Sequence, residues 1–280
     1  MRTVSVHLLT ERIKQSVIEA NTVMTPDIHA ALTAGRAREN SSIARDVIGD
    51  LLENAAIARA ERIPMCQDTG MVVVYLTFGQ QVQWVDGSVE DAINEGVRQG
   101  YAEGYLRMSV VEHPLRRRNT RDNAPAVIHY RLTPGELAHV DVLPKGFGAE
   151  NRSRLAMLKP ADGQAGVERF ILDTARAAGP QGCPPFIIGV GVGGDFERVA
   201  ELAKEALLMP LDEPNPDPLL AEMETRLTDQ INAMGIGPQG FGGRTTLLGL
   251  RVKAYATHIA SLPVAVNMSC HSTRHIAFDL

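Results

Sequence analysis

Cysteine is scarce in this chain, with three in 280 residues, and the way they are scattered excludes several architectures. An odd number cannot pair fully, no two stand as Cys-x-x-Cys, and no cysteine or histidine spacing matches a zinc finger. A disulfide framework and a dithiol redox motif are therefore not expected. Long apolar runs are also missing: none approaches the roughly 18 residues needed to cross a bilayer. Surplus positive charge is lacking too, since 28 Lys and Arg face 33 Asp and Glu for a net charge of -5. Phosphate backbones are bound by clustered cations, so a nucleic-acid partner is not expected either. There is no internal repeat or low-complexity tract. The start of the chain, Met1-Arg2-Thr3-Val4-Ser5-Val6-His7, has no signal-peptide apolar segment, which makes the cytoplasm the expected compartment.

What is present is ordinary globular composition, 44% hydrophobic and 22% charged, in a chain long enough to bury a sizeable core. One domain over residues 1–280 is expected. Thr25-Pro26-Asp27 predicts a helix running towards Glu39, with threonine as its cap and proline in its first turn. Ser42 is expected to cap a second helix that Ile63-Pro64 stops, and the β-branched run Met71 to Phe78 predicts a strand. Ser88-Val89-Glu90-Asp91 opens a helix to about Glu103. Ala126 to Leu132 and His139 to Leu143 look like a hairpin joined through Pro134-Gly135. Further on, helices are expected over 167–178, 196–208 and 218–234, and strands over 186–195, 247–255 and 264–268. The fold class read from this order is mixed α/β with a helical N-terminal layer.

Gly189-Val190-Gly191-Val192-Gly193-Gly194 contains G-x-G-x-x-G between a strand and a helix, the local setting of a dinucleotide fold. That fold needs a second strand and an acidic residue soon after, but Met209 to Pro216 is a proline-broken loop. Tight strand-to-helix packing is the preferred explanation, with nucleotide binding as the weaker reading. Arg107, Arg116, Arg117, Arg118 and Arg121 form a basic island, either a solvated loop or a small-anion site. In Lys145-Gly146-Phe147-Gly148 the glycines suit a backbone that approaches a ligand closely, or a plain turn beside a surface lysine.

All three cysteines occupy polar or turn-forming junctions. Cys66 lies in Pro64-Met65-Cys66-Gln67-Asp68-Thr69-Gly70, Cys183 in Gly182-Cys183-Pro184-Pro185, and Cys270 in Asn267-Met268-Ser269-Cys270-His271-Ser272. A merely buried thiol has no reason to favour such places, and a thiolate beside the Asp68 carboxylate needs a positive group between them. Three cysteine ligands suit an iron–sulfur cubane with one iron left open as a Lewis acid. A zinc site of Cys270, His271 and His275 has no familiar spacing.

Several stretches together, PMCQDTG, YLRMSVVEHPLRRRNTRDNAPAVIHY, KGFGAEN, GCPPFIIGVGVGGDFERVAELAKEALL, GIGPQGFGGRTTLLGLRVKAYATHIASLPVAV and NMSCHSTRH, span nearly the whole chain. In these the chain resembles the α subunit of the class I, iron–sulfur-dependent hydro-lyases, fumarate hydratase and L(+)-tartrate dehydratase. The resemblance implies the α-domain fold of class I fumarases and a 4Fe-4S cluster held by Cys66, Cys183 and Cys270. It implies substrate contacts from Gln67, Arg107, Gly146, Gly148 and His258, and an acid/base role for Asp68. The implied reaction is reversible hydration of fumarate to malate at the open iron, with L(+)-tartrate or a mesaconate-type acid as the alternative substrate. Single-chain members continue into a second domain that supplies a catalytic threonine and basic contacts, whereas this sequence stops at Leu280. A separate β subunit in a hetero-oligomer is the corresponding expectation.

Overall fold

The computed structural model describes Met1–Leu280. In chain order its elements are β1 (Arg2–Ser5), α1 (Val6–Thr22), α2 (Pro26–Arg38), α3 (Ser42–Glu61), β2 (Met71–Gly79), β3 (Val82–Val85), α4 (Val89–Glu103), β4 (Val127–Thr133), β5 (Ala138–Lys145), α5 (Phe147–Glu150) and β6 (Arg154–Leu158). They continue with α6 (Gly163–Ala178), β7 (Phe186–Gly194), α7 (Phe196–Ala206), α8 (Pro218–Asn232), β8 (Leu247–Thr257), β9 (Leu262–Ser269) and β10 (Ile276–Asp279). The architecture is mixed α/β, with α1–α3 preceding the main sheets as expected. No helix is long and apolar enough to cross a membrane. The chain forms two compact units: Met1–Met24 with Asn54–Phe147 and Arg274–Leu280, and Thr25–Glu53 with Gly148–Thr273.

In the first unit, Leu9, Ile13 and Val17 of α1 recur every fourth residue and are buried, as are Ile93, Val97 and Tyr101 of α4. The two helices meet closely, for a Cβ on Gly96 would lie 2.6 Å from the Thr10 carbonyl oxygen. Ser88 caps α4 as expected, its Oγ accepting the Asp91 N–H at 3.3 Å. The expected hairpin does not form. The sheet order is β10-β5-β2-β4, with β2 parallel to β4 and antiparallel to β5, so β2 separates the two segments. The reason lies in burial: Val72 to Leu76 are five consecutive buried residues, the pattern of a strand covered on both faces, while β4 stays half exposed. The most apolar strand takes the centre and pairs on both edges. The Pro134-Gly135 segment instead closes against the end of β2, where the N–H groups of Gln80 and Gln81 donate to Thr133 and Gly135 carbonyls at 2.9 and 3.0 Å. The short edge strands β1, paired with β3, and β10, paired with β5, carry too few residues to be read from pattern.

The second unit contains the sheet β6-β9-β7-β8. Its strand β7 shows two faces. Ile188 and Val190 join Ile171, Ala175, Leu227 and Ile231 of α6 and α8 in one core, while Gly189 and Gly191 face α7. A Cβ at Gly189 would lie 2.1 Å from the Ala203 carbonyl oxygen, and one at Gly191 would lie 2.2 Å from that of Val199. The glycines of the G-x-G-x-x-G stretch thus make room for a helix, as expected. Two cap assignments change. The Thr25 side chain makes no capping bond to α2, and Ser41 rather than Ser42 accepts the Ala44 N–H at 3.3 Å at the start of α3. The glycine-rich segment 235–246 is irregular. Its end is held by Glu39, whose Oε1 accepts the N–H groups of Arg244 and Thr245 at 2.7 and 2.5 Å.

Candidate active site

The first unit carries Cys66, Gln67, Asp68, Arg107 and Gly146. Past the end of α3, the Met65 N–H donates to Asn21 O at 2.9 Å and Asn54 Nδ2 donates to Met65 O at 2.9 Å. The buried Met65 side chain packs on Ala55 and Ala58. These anchors deliver Cys66, half-buried, into the turn before β2. The Asp68 N–H then points at the Cys66 Sγ at 3.4 Å. Each Asp68 carboxylate oxygen accepts one backbone N–H: Oδ1 from Gly70 at 3.0 Å and Oδ2 from Phe147 at 2.7 Å. A carboxylate has about four acceptor sites, so this one keeps capacity for a proton or a substrate.

Two glycines let the loop and the end of β5 come together. Gly70 sits at φ +85°, and a Cβ there would lie 2.7 Å from the Lys145 carbonyl carbon and oxygen. A Cβ on Gly146 would lie 3.4 Å from Asp68 Oδ2. The structure therefore groups Cys66, Asp68 and Gly146. Arg107 is tied in through its backbone, whose carbonyl accepts Thr69 Oγ1 at 2.9 Å. Its side chain is exposed with no ion-pair partner, and Gln67 is exposed next to Asp68. An available guanidinium is suited to clamp a carboxylate through two parallel hydrogen bonds.

Sequence reasoning missed four residues around this loop. Tyr101 is fully buried, and its single O–H is shared between the carbonyls of Thr69 and Gly70, 2.7 and 2.8 Å away. Burial pushes that hydroxyl well above the usual phenol range, with the Arg274 charge opposing, so it remains a donor. Asn123, also fully buried, donates from Nδ2 to Gly70 O at 3.1 Å. Its Oδ1 accepts the N–H groups of Ser109 and Val110. Arg274, 2% exposed, donates to the Asp68 carbonyl. Lys145 is 3% exposed and donates to Gly146 O at 3.2 Å, so it is not the surface lysine of a plain turn. Three of them stood inside the quoted motifs, but only burial distinguishes them. The arginine island is exposed at Arg116, Arg117 and Arg118, on an excursion closed by the Val111–Asn119 bridge, and at Arg121 just beyond it.

The second unit carries Gly148, Cys183, His258 and Cys270. Cys183 precedes β7 and Cys270 follows β9, and the antiparallel register pairs Ile187 with Ser269. The two thiols therefore share one end of the sheet. Gln239 joins their loops, its Nε2 donating to Pro184 O at 2.8 Å and meeting His271 Nδ1 at 3.2 Å. Cys183 adopts φ +56°, ψ +61°, a left-handed conformation that costs a non-glycine residue roughly 1 kcal/mol. Cys270 Sγ lies 3.1 Å from Ser272 Oγ. Gly148 is exposed in α5 with no neighbour where a Cβ would go.

His258 is placed elsewhere. It occupies the exposed turn between β8 and β9, its Nδ1 accepting the Ala260 N–H at 3.2 Å. The register pairs Gly194 with Thr257 and Val192 with Val264, so His258 stands at the other end of the sheet from Cys183 and Cys270. By strand rise that separation is about 25 Å.

None of the three cysteines forms a disulfide and each is half-buried, and thiolates are the usual ligands of iron–sulfur centres. No three Cys, His, Asp or Glu side chains gather as a cage for a single ion, which leaves Cys270, His271 and His275 without a zinc geometry. Cubane ligands bind separate iron atoms, so they need not converge on one point. The donors fit such a cluster in kind.

Comparisons with known proteins agree with the sequence motifs. A family profile described as Fumarate hydratase (Fumerase) matches residues 10–279. A Methanocaldococcus jannaschii protein provisionally named L(+)-tartrate dehydratase subunit alpha is 36% identical over 262 residues, covering 91% of this chain and 92% of its own. The L(+)-tartrate dehydratase subunit alpha of Escherichia coli strain K12 is 28% identical over 273 residues, covering 96% of this chain and 90% of its own. The Shigella sonnei protein of the same name shows the same identity and coverage.

Proposed function

The chain belongs to the fumarate hydratase (Fumerase) family of hydro-lyases, and from that premise we propose that it is the α subunit of an iron–sulfur-dependent L(+)-tartrate dehydratase. The observation that carries this reading is the near end-to-end match to relatives bearing that name. On the sequence alone fumarate is the first reading and L(+)-tartrate the alternative. The names of these relatives reverse that order, and fumarate hydration becomes the second reading, supported by the description of the family itself.

In this reading Cys66, Cys183 and Cys270 hold a 4Fe-4S cluster. When bound, the cluster supplies a Lewis acid at the iron that no cysteine holds. The chain's own residues do the rest. Arg107 clamps a substrate carboxylate, Gln67 supplies a further polar contact, and the backbone at Gly146 and Gly148 allows close approach. Asp68, its two oxygens steadied by the Gly70 and Phe147 N–H groups, accepts the proton from the carbon next to the one that loses its hydroxyl. Loss of water from a vicinal diol leaves an enol, which becomes a 2-oxo acid, so tartrate yields oxaloacetate. His258 stands apart from the cysteines of its unit, and the reading does not depend on it.

The relatives' names mark them as subunits. We take this chain likewise to work with a separate β subunit, with 1–280 as one catalytic domain in the cytoplasm. The chain alone then binds the cluster with little turnover. Two measurements test the reading. Iron and sulfide in the anaerobically reconstituted chain should reach about four of each per chain, and Cys66→Ala, Cys183→Ala and Cys270→Ala should each lose them. Kinetics of the reconstituted pair should favour L(+)-tartrate, with oxaloacetate as product; a large preference for fumarate and malate selects the second reading. Iron indifferent to all three cysteines overturns both.

A further inference from the structure

Three consecutive backbone carbonyls in the loop carrying Asp68 are each gripped by a buried side chain from a distant segment. Arg274 donates to Asp68 O, the single O–H of Tyr101 is shared between Thr69 O at 2.7 Å and Gly70 O at 2.8 Å, and Asn123 donates to Gly70 O at 3.1 Å. All belong to the first unit. A surface turn commonly leaves such carbonyls to water. Here the solvent is replaced by donors whose own positions are fixed by burial: Tyr101 by α4, and Asn123 by the two N–H groups that its Oδ1 accepts.

The grip reaches the carboxylate through the geometry of one peptide group. A trans peptide is planar, and its C=O and N–H point in opposite directions. The Thr69 carbonyl and the Gly70 N–H share such a plane. Tyr101 holds the carbonyl end, and the N–H end donates to Asp68 Oδ1 at 3.0 Å. Glycine at position 70 gives the chain freedom to rotate this plane, so an outside constraint is what fixes it. We infer that Tyr101, backed by Asn123 and Arg274, is a positioning residue that sets the Asp68 carboxylate through the Thr69–Gly70 peptide plane. The inference rests on the proposed acid/base role of Asp68. It adds residues that act on the Asp68 carboxylate through the loop backbone.

Tyr101→Phe keeps the ring and removes only the donor. In the reconstituted two-subunit holoenzyme, kcat should fall about tenfold while KM stays within about twofold, because misplacing a reacting group acts on the chemical step. Iron and sulfide content should not change. In the isolated chain, the Gly70 amide should exchange with solvent about tenfold faster or more. Ile231→Val, which trims the core of the other unit, serves as the control: it should lower stability without lowering kcat at the assay temperature. Asn123→Asp keeps the acceptor for Ser109 and Val110 but loses the donor to Gly70. It should give a smaller kcat loss in the same direction, and it decides the matter if Tyr101→Phe does not fold. Unchanged kcat and Gly70 exchange, or a kcat loss matched by lost iron, overturns the inference. Absence of hydro-lyase turnover in the wild-type holoenzyme refutes the functional reading instead, and the exchange measurement still judges the grip on the loop.

Discussion

Gly189→Ala should destabilise the second unit more than any ordinary surface substitution. The added Cβ would stand 2.1 Å from the Ala203 carbonyl oxygen and 3.0 Å from Leu207 Cγ. A carbon and an oxygen cannot approach much below about 3.2 Å, so β7 and α7 must part by about 1 Å. The nearest opposing atom belongs to helix backbone and cannot swing aside. Moving α7 also loosens the packing of its own buried residues Val199, Leu202 and Ala203. Overpacking of this kind costs about 1–3 kcal/mol, and a backbone obstacle places Gly189→Ala at the upper end. For a unit of this size, 3 kcal/mol corresponds to a fall in Tm of about 6–12 °C. Thermal and urea unfolding of the cluster-free chain, followed by circular dichroism, would measure it. Gly148→Ala provides the internal control, since nothing lies within 4 Å of its added Cβ, and its stability should stay within about 0.5 kcal/mol of the parent. If Gly189→Ala unfolds within about 1 °C of the parent, the packing explanation for the glycines is wrong. Nucleotide binding would then have to be assayed directly.

Other perturbations test separate parts of the structure. Glu39→Ala leaves the N–H groups of Arg244 and Thr245 without their acceptor; it should cost about 1–3 kcal/mol and speed exchange at both amides, and unaltered exchange would count against Glu39 as the anchor of the glycine-rich segment. Glu168 is held below the usual carboxylate range chiefly by its hydrogen bond from Arg226, with burial opposing. A lowered carboxyl contributes stability above its unfolded value and loses it as pH falls through its folded value. Arg226→Gln should therefore lower Tm modestly near about pH 7 and by progressively less as the pH is brought down towards about 2. An equal loss at both values would refute the assignment to Glu168. Combined Arg116→Gln, Arg117→Gln and Arg118→Gln should leave folding stability within about 0.5 kcal/mol, because the three side chains are exposed and form no ion pairs; a larger loss by urea titration would reveal a structural role for the basic excursion.

The features legible in the sequence were those carried by short-range chemistry. Ser88 with Asp91 announces α4, Pro26 opens α2, and the apolar run Met71 to Phe78 marks β2, because caps, fixed φ and side-chain periodicity act within one or two turns. The three cysteine junctions stood out because their neighbours were wrong for a buried thiol, and the family was legible from motifs spread along the chain. Strand partners were not. Nothing local in Ala126 to Leu143 shows that β2 would come between β4 and β5, since that order is decided by competition among distant strands for the fully buried place. The same holds for Tyr101, Asn123, Lys145 and Arg274, whose types suit a surface as well as a core. Their burial beneath the Asp68 loop follows from which carbonyls the assembled backbone leaves without water. His258 shows the converse, a polar residue singled out by motif whose place at the far end of its sheet only the β7 and β9 register reveals. Sequence determined the elements and the chemical inventory; tertiary structure decided which carbonyls needed donors, and therefore which residues hold the loop in place.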